Sequence, residues 1–293
     1  MMHVRQLGIK LIGQIKGELM QANVSTNYQA INLFGIKIHA LTMDELINIC
    51  GEHISRRDSL LLGVINVAKL VNSRKNEELH RSLTEADIVL ADGLPIKWLS
   101  RMMGSPLPER VAGIDIMYKL LKEANEKHYR VYFLGAKPRV LQTLIKNVQK
   151  DYPVIPVAGY RDGYFDKDEE QDVAKKIKDS RADILFVGIS SPKKENFLKN
   201  WQKFIDVPIC HGVGGSFDIL AGVTNRAPIW MQKSSLEWLY RLIQEPRRMW
   251  RRYLFTNIKF IKLSFEAILR ARFGNLIHKS KYMTSSETKK QNK

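Results

Sequence analysis

Short apolar segments alternate with longer amphipathic segments along most of the chain. The apolar segments predict strands at residues 32–38, 60–65, 88–91, 131–134, 154–158, 184–187 and 208–211. The amphipathic segments predict a helix that opens at a capping-box pattern in residues 42–45, helical segments up to residue 83, and helices at residues 95–103, 114–127, 139–150, 169–180 and 193–204. Most strand segments are apolar without alternation, as in strands buried on both faces of a sheet. The sequence therefore predicts an α/β fold with a Rossmann-like, mostly parallel sheet flanked by helices.

The chain divides into four predicted parts. Residues 1–30 are an N-terminal extension, residues 31–239 the Rossmann-like domain, residues 240–283 a basic helical appendage, and residues 284–293 a disordered polar tail. The extension lacks the continuous apolar region of a secretory signal, and no apolar run approaches the ~20 residues that cross a bilayer. Cys50 and Cys210 lie among apolar residues, which favours core packing in a reducing cytosol.

The net charge of +17 calls for an anionic partner, such as nucleic acid, a membrane surface or an anionic substrate. Between residues 241 and 281, eleven Lys or Arg accompany only two acids. Aromatic and aliphatic residues interleave with these cations, which predicts an amphipathic helix that lies on a membrane. The rival interpretation is a nucleic-acid-binding appendage, although no recognised motif of that kind accompanies it. The predicted membrane-binding residues are Arg241, Arg247, Arg248, Arg251 and Arg252.

An aspartate and an arginine provide the candidate chemistry. Asp92 follows an apolar strand segment and precedes a glycine, so we expect its carboxylate to leave the end of a buried strand and face a cleft. Arg110 follows eighteen residues later, and its guanidinium suits a phosphate in the same cleft. A proton acceptor and a phosphate binder suffice for moving a sugar from a nucleotide. The same residues are equally compatible with an aspartate that caps the next helix and a surface arginine.

Glycines follow several of the other predicted strands. Gly135, Gly188 and Gly212 fall where ligands bind in open α/β sheets. Lys137 stands beside Gly135, a combination that lets a phosphate approach a helix N-terminus. Each glycine alone is also what a tight turn between strand and helix requires.

Several familiar chemistries are disfavoured by their missing motifs. The chain has no Gly-x-x-x-x-Gly-Lys-Ser/Thr loop, no Gly-x-Gly-x-x-Gly loop after its first strand and no Gly-x-Ser-x-Gly elbow. The triplet at residues 166–168 matches the Asp-x-Asp pair that holds a metal in many sugar transferases. Its acidic surroundings favour a helix start instead. His211 is interpreted as a structural histidine.

Taken together, the motifs resemble the WecG/TagA/CpsF glycosyltransferases, classed as glycosyltransferase family 26. The resemblance runs from about Asn32 to Ile261. The motifs occur in this order: Ala91-Asp92-Gly93, the segment Pro106 to Gly113, Phe133-Leu134-Gly135, Gly163-Tyr164-Phe165, Ser191-Pro192-Lys193-Lys194-Glu195, the segment Gly212 to Asp218, Ala221-Gly222, Arg226-Ala227-Pro228, the segment Leu236 to Leu242, and Glu245-Pro246-Arg247-Arg248.

The resemblance implies an inverting transferase that carries a sugar from a UDP-sugar to a polyprenyl-diphosphate-linked saccharide in bacterial cell-surface polysaccharide synthesis. It implies Asp92 as the general base, Arg110 as the support of the diphosphate, and no metal or other cofactor. It also implies a peripheral protein on the inner face of the bacterial plasma membrane, with no role for nucleic acid and with room for a homo-oligomer. The implied donor-site residues are Asn66, Gly135, Lys137, Gly188, Lys193, Lys194, Glu195, Gly212, Gly214 and Asp218.

Two positions depart from the family pattern. Val64 stands where Thr is usual, and Lys194 where Gln is usual. A cation in place of an amide suits an acidic sugar, so a UDP-uronate is one hypothesis for the donor and a UDP-N-acetylmannosamine-type sugar is the other. Alternatively, Lys194 points to solvent or reflects drift within a subfamily. A non-enzymatic Rossmann-like protein with a basic binding appendage also remains compatible with the sequence.

Overall fold

A six-stranded parallel sheet forms the centre of the computed structural model, which describes residues 28–190, 193–234, 236–247, 249–251 and 253–269. The tail predicted to be disordered and nearly all of the predicted N-terminal extension lie outside these residues. A separate antiparallel pair, β1 (Ala30–Leu33) and β2 (Ile36–His39), precedes the sheet. The sheet contains β3 (Leu60–Ile65), β4 (Ile88–Ala91), β5 (Val131–Gly135), β6 (Val157–Arg161), β7 (Ile184–Gly188) and β8 (Ile209–Gly212), in the order β4-β3-β8-β7-β5-β6.

Helices cover both faces of the sheet, which confirms the predicted α/β fold. The helices are α1 (Met43–Arg56), α2 (Val67–Ser73), α3 (Glu77–Thr84), α4 (Leu94–Met102), α5 (Gly113–Lys127), α6 (Pro138–Asp151), α7 (Glu170–Asp179), α8 (Lys193–Ile205), α9 (Ser216–Leu220), α10 (Ile229–Lys233) and α11 (Glu237–Gln244). One buried cluster joins α1, α5, α6 and α9 to the sheet, and a second joins α7 and α8. Because both faces are buried, the strands need no alternation of apolar and polar residues.

The C-terminal appendage is helical where it is described, at residues 246–247, 249–251 and 253–269. Phe260 is buried in a third cluster with Leu99 of α4 and Leu107, and Leu263 packs against the same cluster. This contact holds the appendage along the sheet edge that carries β4. The predicted division at residue 239 lies inside α11, which crosses this boundary and ends at Gln244.

Two predicted strands differ from the structure. The segment predicted as one strand at 32–38 is the hairpin of β1 and β2, because Phe34 and Gly35 both take positive φ angles, 55° and 87°, in a two-residue turn. The strand predicted at 154–158 begins later, at Val157. Residues 152–155 form a turn, with the Ile155 N–H donating to the Tyr152 carbonyl at 3.2 Å. β6 is an edge strand whose residues are partly exposed. A prediction based on apolar residues alone therefore placed its start too early.

The strand that follows β5 in the chain, β6, lies beside it at one edge of the sheet. The strand that follows β7, β8, lies beside it in the opposite direction along the sheet. Such a reversal opens a crevice at the carboxyl ends of the two strands. At these ends Gly135 and Gly188 are paired neighbours, and their backbones lie in close contact. A Cβ added at Gly135 would lie 2.8 Å from the Gly188 Cα, and the φ of Gly135 is +133°.

We expect Gly135→Ala to lower the free energy of unfolding by at least about 2 kcal/mol, because it adds both a clash and a strained backbone conformation. Chemical denaturation of the variant and the parent protein measures this difference. Gly51→Ala is the matched control, since its added Cβ would lie 3.8 Å from the Tyr129 hydroxyl within α1. That change should raise stability by about 0.5–1 kcal/mol. Equal stability of the Gly135 variant and the parent would contradict the packing described.

Candidate active site

Asp92 stands at the carboxyl edge of the sheet, one residue beyond β4. Its backbone N–H donates a 2.8 Å hydrogen bond to the carbonyl of Ile65, the last residue of the neighbouring β3. The next helix, α4, has Gly93 at its N-cap position and no side-chain cap. Asp92 therefore does not cap α4, and its carboxylate leaves the end of a buried strand.

Asp92 is half-buried, and its carboxyl group is desolvated. Burial raises its pKa to about 6, and the charges of Glu237 and Asp115 add to the rise, whereas Arg110 and Arg241 oppose it. Among the described residues, no hydrogen bond contributes to this shift in the pKa of Asp92. A carboxylate with a pKa near 6 is largely ionised at neutral pH and remains basic enough to accept a proton in a reaction.

Arg110 lies in the loop that returns to the end of β4. The N–H of Val111 donates to the carbonyl of Ala91 at 2.9 Å, which fixes this loop beside Asp92. The Arg110 side chain is only 15 % exposed, so it is not a surface arginine. Its Nη1 donates to Glu237 Oε2 at 3.1 Å and its Nη2 to Asp115 Oδ2 at 3.4 Å.

A second arginine completes this group of charges. Arg226 Nε donates to Glu237 Oε1 at 3.2 Å, and its Nη2 forms a hydrogen bond with Asp115 Oδ1. Each carboxylate therefore bridges both guanidinium groups, with a different oxygen for each. We call Arg110, Arg226, Asp115 and Glu237 the charge ring. Arg226 and Glu237 belong to family motifs, but the sequence alone assigns neither a role, because their proximity depends on a contact between distant parts of the chain.

A cavity of about 670 Å³ opens beside the charge ring. Its wall includes Arg110, Asp115 and Arg226, together with Tyr118 and Lys119 of α5. A volume of this size suits a small-molecule ligand. A second cavity of about 660 Å³ lies between α3 and α8 and is not lined by Arg110. Asp92 lines neither of these two cavities.

Lys194 and His211 lie together at the end of β8. The Lys194 side chain is 11 % exposed, and its Nζ lies 3.3 Å from Glu195 Oε1, so the interpretation that it points to solvent is wrong. A Cβ added at Gly212 would lie 3.0 Å from Lys194 Cε, which shows how closely the lysine crosses this glycine. Burial lowers the pKa of His211 to about 4, and its Nε2 lies 3.0 Å from the Gly113 carbonyl. A neutral histidine that holds the start of α5 fits the predicted structural role.

Other predicted ligand-binding side chains have structural partners in the protein. Asn66 caps α2, accepting a hydrogen bond from the Lys69 N–H at 3.0 Å. Lys193 Nζ donates to the carbonyls of Gly163, at 3.2 Å, and Phe165. In the 166–168 triplet, Asp166 forms a capping box, which confirms a helix start. Lys137 is exposed at the start of α6.

The structure divides the predicted site residues into two groups. Asn66, Asp92, Arg110 and Gly212 belong to the ends of β3, β4 and β8 or to the loops beside them, and the side chain of Lys194 reaches Gly212 from α8. The group around β5 and β7 contains Gly135, Lys137, Gly188 and Lys193. Four strand spacings separate the ends of β4 and β5, or roughly 19 Å. Gly135 therefore does not belong to the immediate surroundings of Asp92.

Two further predicted residues follow β8. Gly214 is exposed in the turn before α9, and Asp218 lies within that helix. The Asp218 carbonyl accepts hydrogen bonds from the N–H groups of Val223, at 2.9 Å, and Thr224, at 3.2 Å. These contacts shape the loop that leads toward Arg226.

The predicted membrane-binding residues lie on α11 and the appendage. Arg241, Arg247 and Arg251 are exposed, whereas Arg248 and Arg252 lie outside the described residues. The guanidinium of Arg251 lies 5.3 Å from the centre of the Trp250 ring. Arg241 also acts on the pKa of Asp92, so the start of the appendage reaches the carboxylate electrostatically. No helix in the described part of the chain has both the length and the apolar character to cross a membrane.

The profile of the glycosyl transferase WecG/TagA/CpsF family matches residues 31–274. The chain belongs to this family. It is therefore a glycosyltransferase, and the non-enzymatic alternative is not favoured. Asp92, the charge ring and the described part of the appendage all fall within the matched residues.

Three bacterial relatives illustrate the likeness, and all are named N-acetylglucosaminyldiphosphoundecaprenol N-acetyl-beta-D-mannosaminyltransferase. The protein of Bacillus spizizenii is 38% identical over 180 residues, which cover 61% of this chain and 69% of the relative. The protein of Bacillus subtilis is 34% identical over 69% of this chain and 78% of the relative. The protein of Staphylococcus aureus is 28% identical over 79% of this chain and 91% of the relative.

The raised pKa of Asp92 predicts that Asp92→Asn stabilises the ligand-free protein at alkaline pH. Ionising a desolvated carboxyl group destabilises the fold, and this cost is complete above pH 6 and disappears below the ordinary carboxyl pKa. We expect the variant to gain about 1–3 kcal/mol of unfolding free energy at pH 8, with a smaller gain at pH 5. Denaturant titrations at both values measure the difference. A gain that grows as the pH falls would contradict the assignment.

Proposed function

We propose that the protein transfers a sugar from a UDP-sugar to a polyprenyl-diphosphate-linked saccharide, with inversion at the anomeric carbon and without a metal. The observation that carries the proposal is the pairing of a desolvated carboxylate, Asp92, with the neighbouring guanidinium of Arg110 in a member of a glycosyltransferase family. The names of the relatives support N-acetylmannosamine as the transferred sugar and N-acetylglucosaminyl-diphospho-undecaprenol as the acceptor.

The proposed reaction is a single displacement. The acceptor hydroxyl oxygen bonds to the anomeric carbon while its proton moves to the carboxylate of Asp92. The bond from the anomeric carbon to the UDP oxygen breaks, and its electron pair stays on the diphosphate. Arg110 stabilises that charge through charge-assisted hydrogen bonds, which suit a phosphate especially well.

The buried Lys194 supports a second hypothesis for the donor. Its ammonium lies near Gly212 at the end of β8, two strands from β4. A cation in this position suits the carboxylate of a UDP-uronate. Its ion pair with Glu195 already neutralises much of that charge, so N-acetylmannosamine remains the first choice.

Membrane docking of the appendage accounts for access to a lipid-linked acceptor. Residues spaced three or four apart in the appendage share one helix face. Five exposed residues with that spacing form what we call the apolar row: Trp250, Leu254, Ile258, Ile261 and Phe265. Nearby cations, such as Arg247 and Arg251, suit an anionic lipid surface. We place this contact at the inner face of the plasma membrane, where UDP-sugars are available.

The central test is a donor screen with a lipid-diphosphate N-acetylglucosamine acceptor, read by the mass of the product. We expect transfer from UDP-N-acetylmannosamine and a rate that falls below pH 6 as Asp92 takes up a proton. Asp92→Asn should abolish turnover and still bind UDP, because the amide keeps the shape and loses the base. Transfer by that variant at the parent rate would refute the base assignment. Exclusive use of a UDP-uronate would favour the second hypothesis.

If the appendage docks on a membrane, acidic residues introduced into the apolar row should weaken vesicle binding. We expect Ile261→Glu combined with Phe265→Glu to reduce the affinity for vesicles containing anionic lipid by about tenfold or more, because each apolar side chain contributes about 1.5–3 kcal/mol when buried. Sedimentation with vesicles measures the bound fraction. Val154→Glu is the control, since Val154 is 53% exposed in the turn before β6. Unchanged vesicle binding, or preferential binding to oligonucleotides, would contradict the docking proposal.

A further inference from the structure

The charge ring poses a problem for the reaction just proposed. Both terminal nitrogens of Arg110 donate to carboxylates, Nη1 to Glu237 and Nη2 to Asp115. A diphosphate that recruits this guanidinium must compete with both acids. If Arg110 turned away from them, the partly buried carboxylates of Asp115 and Glu237 would lose a neutralising charge next to an incoming anion. Such a loss is unfavourable.

Arg226 resolves this problem by its geometry. It contacts the same two acids through the oxygens that Arg110 does not use, Glu237 Oε1 and Asp115 Oδ1. Both acids therefore keep a cationic partner when Arg110 turns toward a ligand. The Arg226 side chain is 19% exposed, and its guanidinium lies over the ring of Tyr118 at 5.7 Å, so it is held in place by more than the acids.

We propose that Arg226 is a positioning residue, which keeps Asp115 and Glu237 neutralised and thereby frees Arg110 to bind the diphosphate of the donor. The inference rests on the proposed function, since it takes the diphosphate as the ligand of Arg110. The inference also explains why Asp115 and Glu237, which would otherwise repel a phosphate, lie beside Arg110. In the absence of donor, these acids orient Arg110 beside Asp92; in its presence, Arg226 holds them.

The test is a double-mutant cycle on UDP affinity, measured by calorimetry, and on transfer kinetics. Arg226→Gln leaves Arg110 as the main partner of both acids, so we expect UDP affinity and kcat/KM to fall by about tenfold or more. Adding Glu237→Gln removes one of the competing acids. The double variant should therefore recover part of the UDP affinity lost by Arg226→Gln alone.

A merely structural role for Arg226 gives the opposite result. Two structural losses add, so the double variant would then bind UDP more weakly than either single variant. That outcome, or an Arg226→Gln variant that binds UDP like the parent, would overturn the inference. Glu237→Gln alone provides an independent arm, with tighter UDP binding because Arg110 has one competitor fewer, and lower kcat because Arg110 is less well oriented. Weaker binding and lower kcat together would also count against it.

Arg57→Gln is the matched control. Arg57 bridges Asp183, at 2.9 Å, and the carbonyls of Ala182 and Asp206 at the amino edge of the sheet. Its loss should change stability and leave UDP affinity unaltered. A parent protein that binds UDP and transfers no sugar would refute the proposed function, whereas the binding arm of the cycle would still decide the role of Arg226.

Discussion

Desolvation of one carboxyl group is the constraint on which the site depends. A carboxylate in water has too low a pKa to accept a proton readily, and Asp92 escapes this limit because the surrounding protein raises its pKa to about 6. The parallel register of β3 and β4 creates that environment. It places Asp92 next to Ile65 at the end of two buried strands, where the N–H of Asp92 is already paired with the Ile65 carbonyl.

The charge ring also acts on the pKa of Asp92, which desolvation raises. Arg110 and Arg241 lower the pKa of Asp92, while Glu237 and Asp115 raise it. Since the ring contains two cations and two anions, it holds arginines close to the carboxylate without a large net charge. The site can therefore keep a phosphate-binding guanidinium close to Asp92 while the pKa of Asp92 stays raised, at about 6. Without Glu237 and Asp115, the guanidinium of Arg110 would lower the pKa of Asp92 with no opposing charge.

The sequence was sufficient for the fold and for the positions of Asp92 and Arg110, because apolar strands and their polar ends leave local patterns. It misplaced the hairpin of β1 and β2, where a turn residue decided the structure, and edge strand β6, where burial was incomplete. The family resemblance also implied Gly135 as a donor-site residue, although Gly135 lies four strand spacings from the end of β4. Strand order decides that distance, and strand order arises from contacts between distant segments. For the same reason, Arg226 and Glu237 had no assignable role before the structure was known.

The position of Glu237 has a consequence for the appendage. Glu237 opens α11, the helix that precedes most of the basic C-terminal segment, and it is also a member of the charge ring. Arg241, one turn later, acts on Asp92. A displacement of the appendage therefore changes the electrostatics of the carboxylate directly, through charges on its own first helix. Because Trp238 packs against Tyr253 with ring centres 5.7 Å apart, the residues that follow α11 are mechanically joined to it. Contact of the apolar row with a lipid surface would therefore act on the surroundings of Asp92 through the packing of Tyr253 against Trp238 of α11.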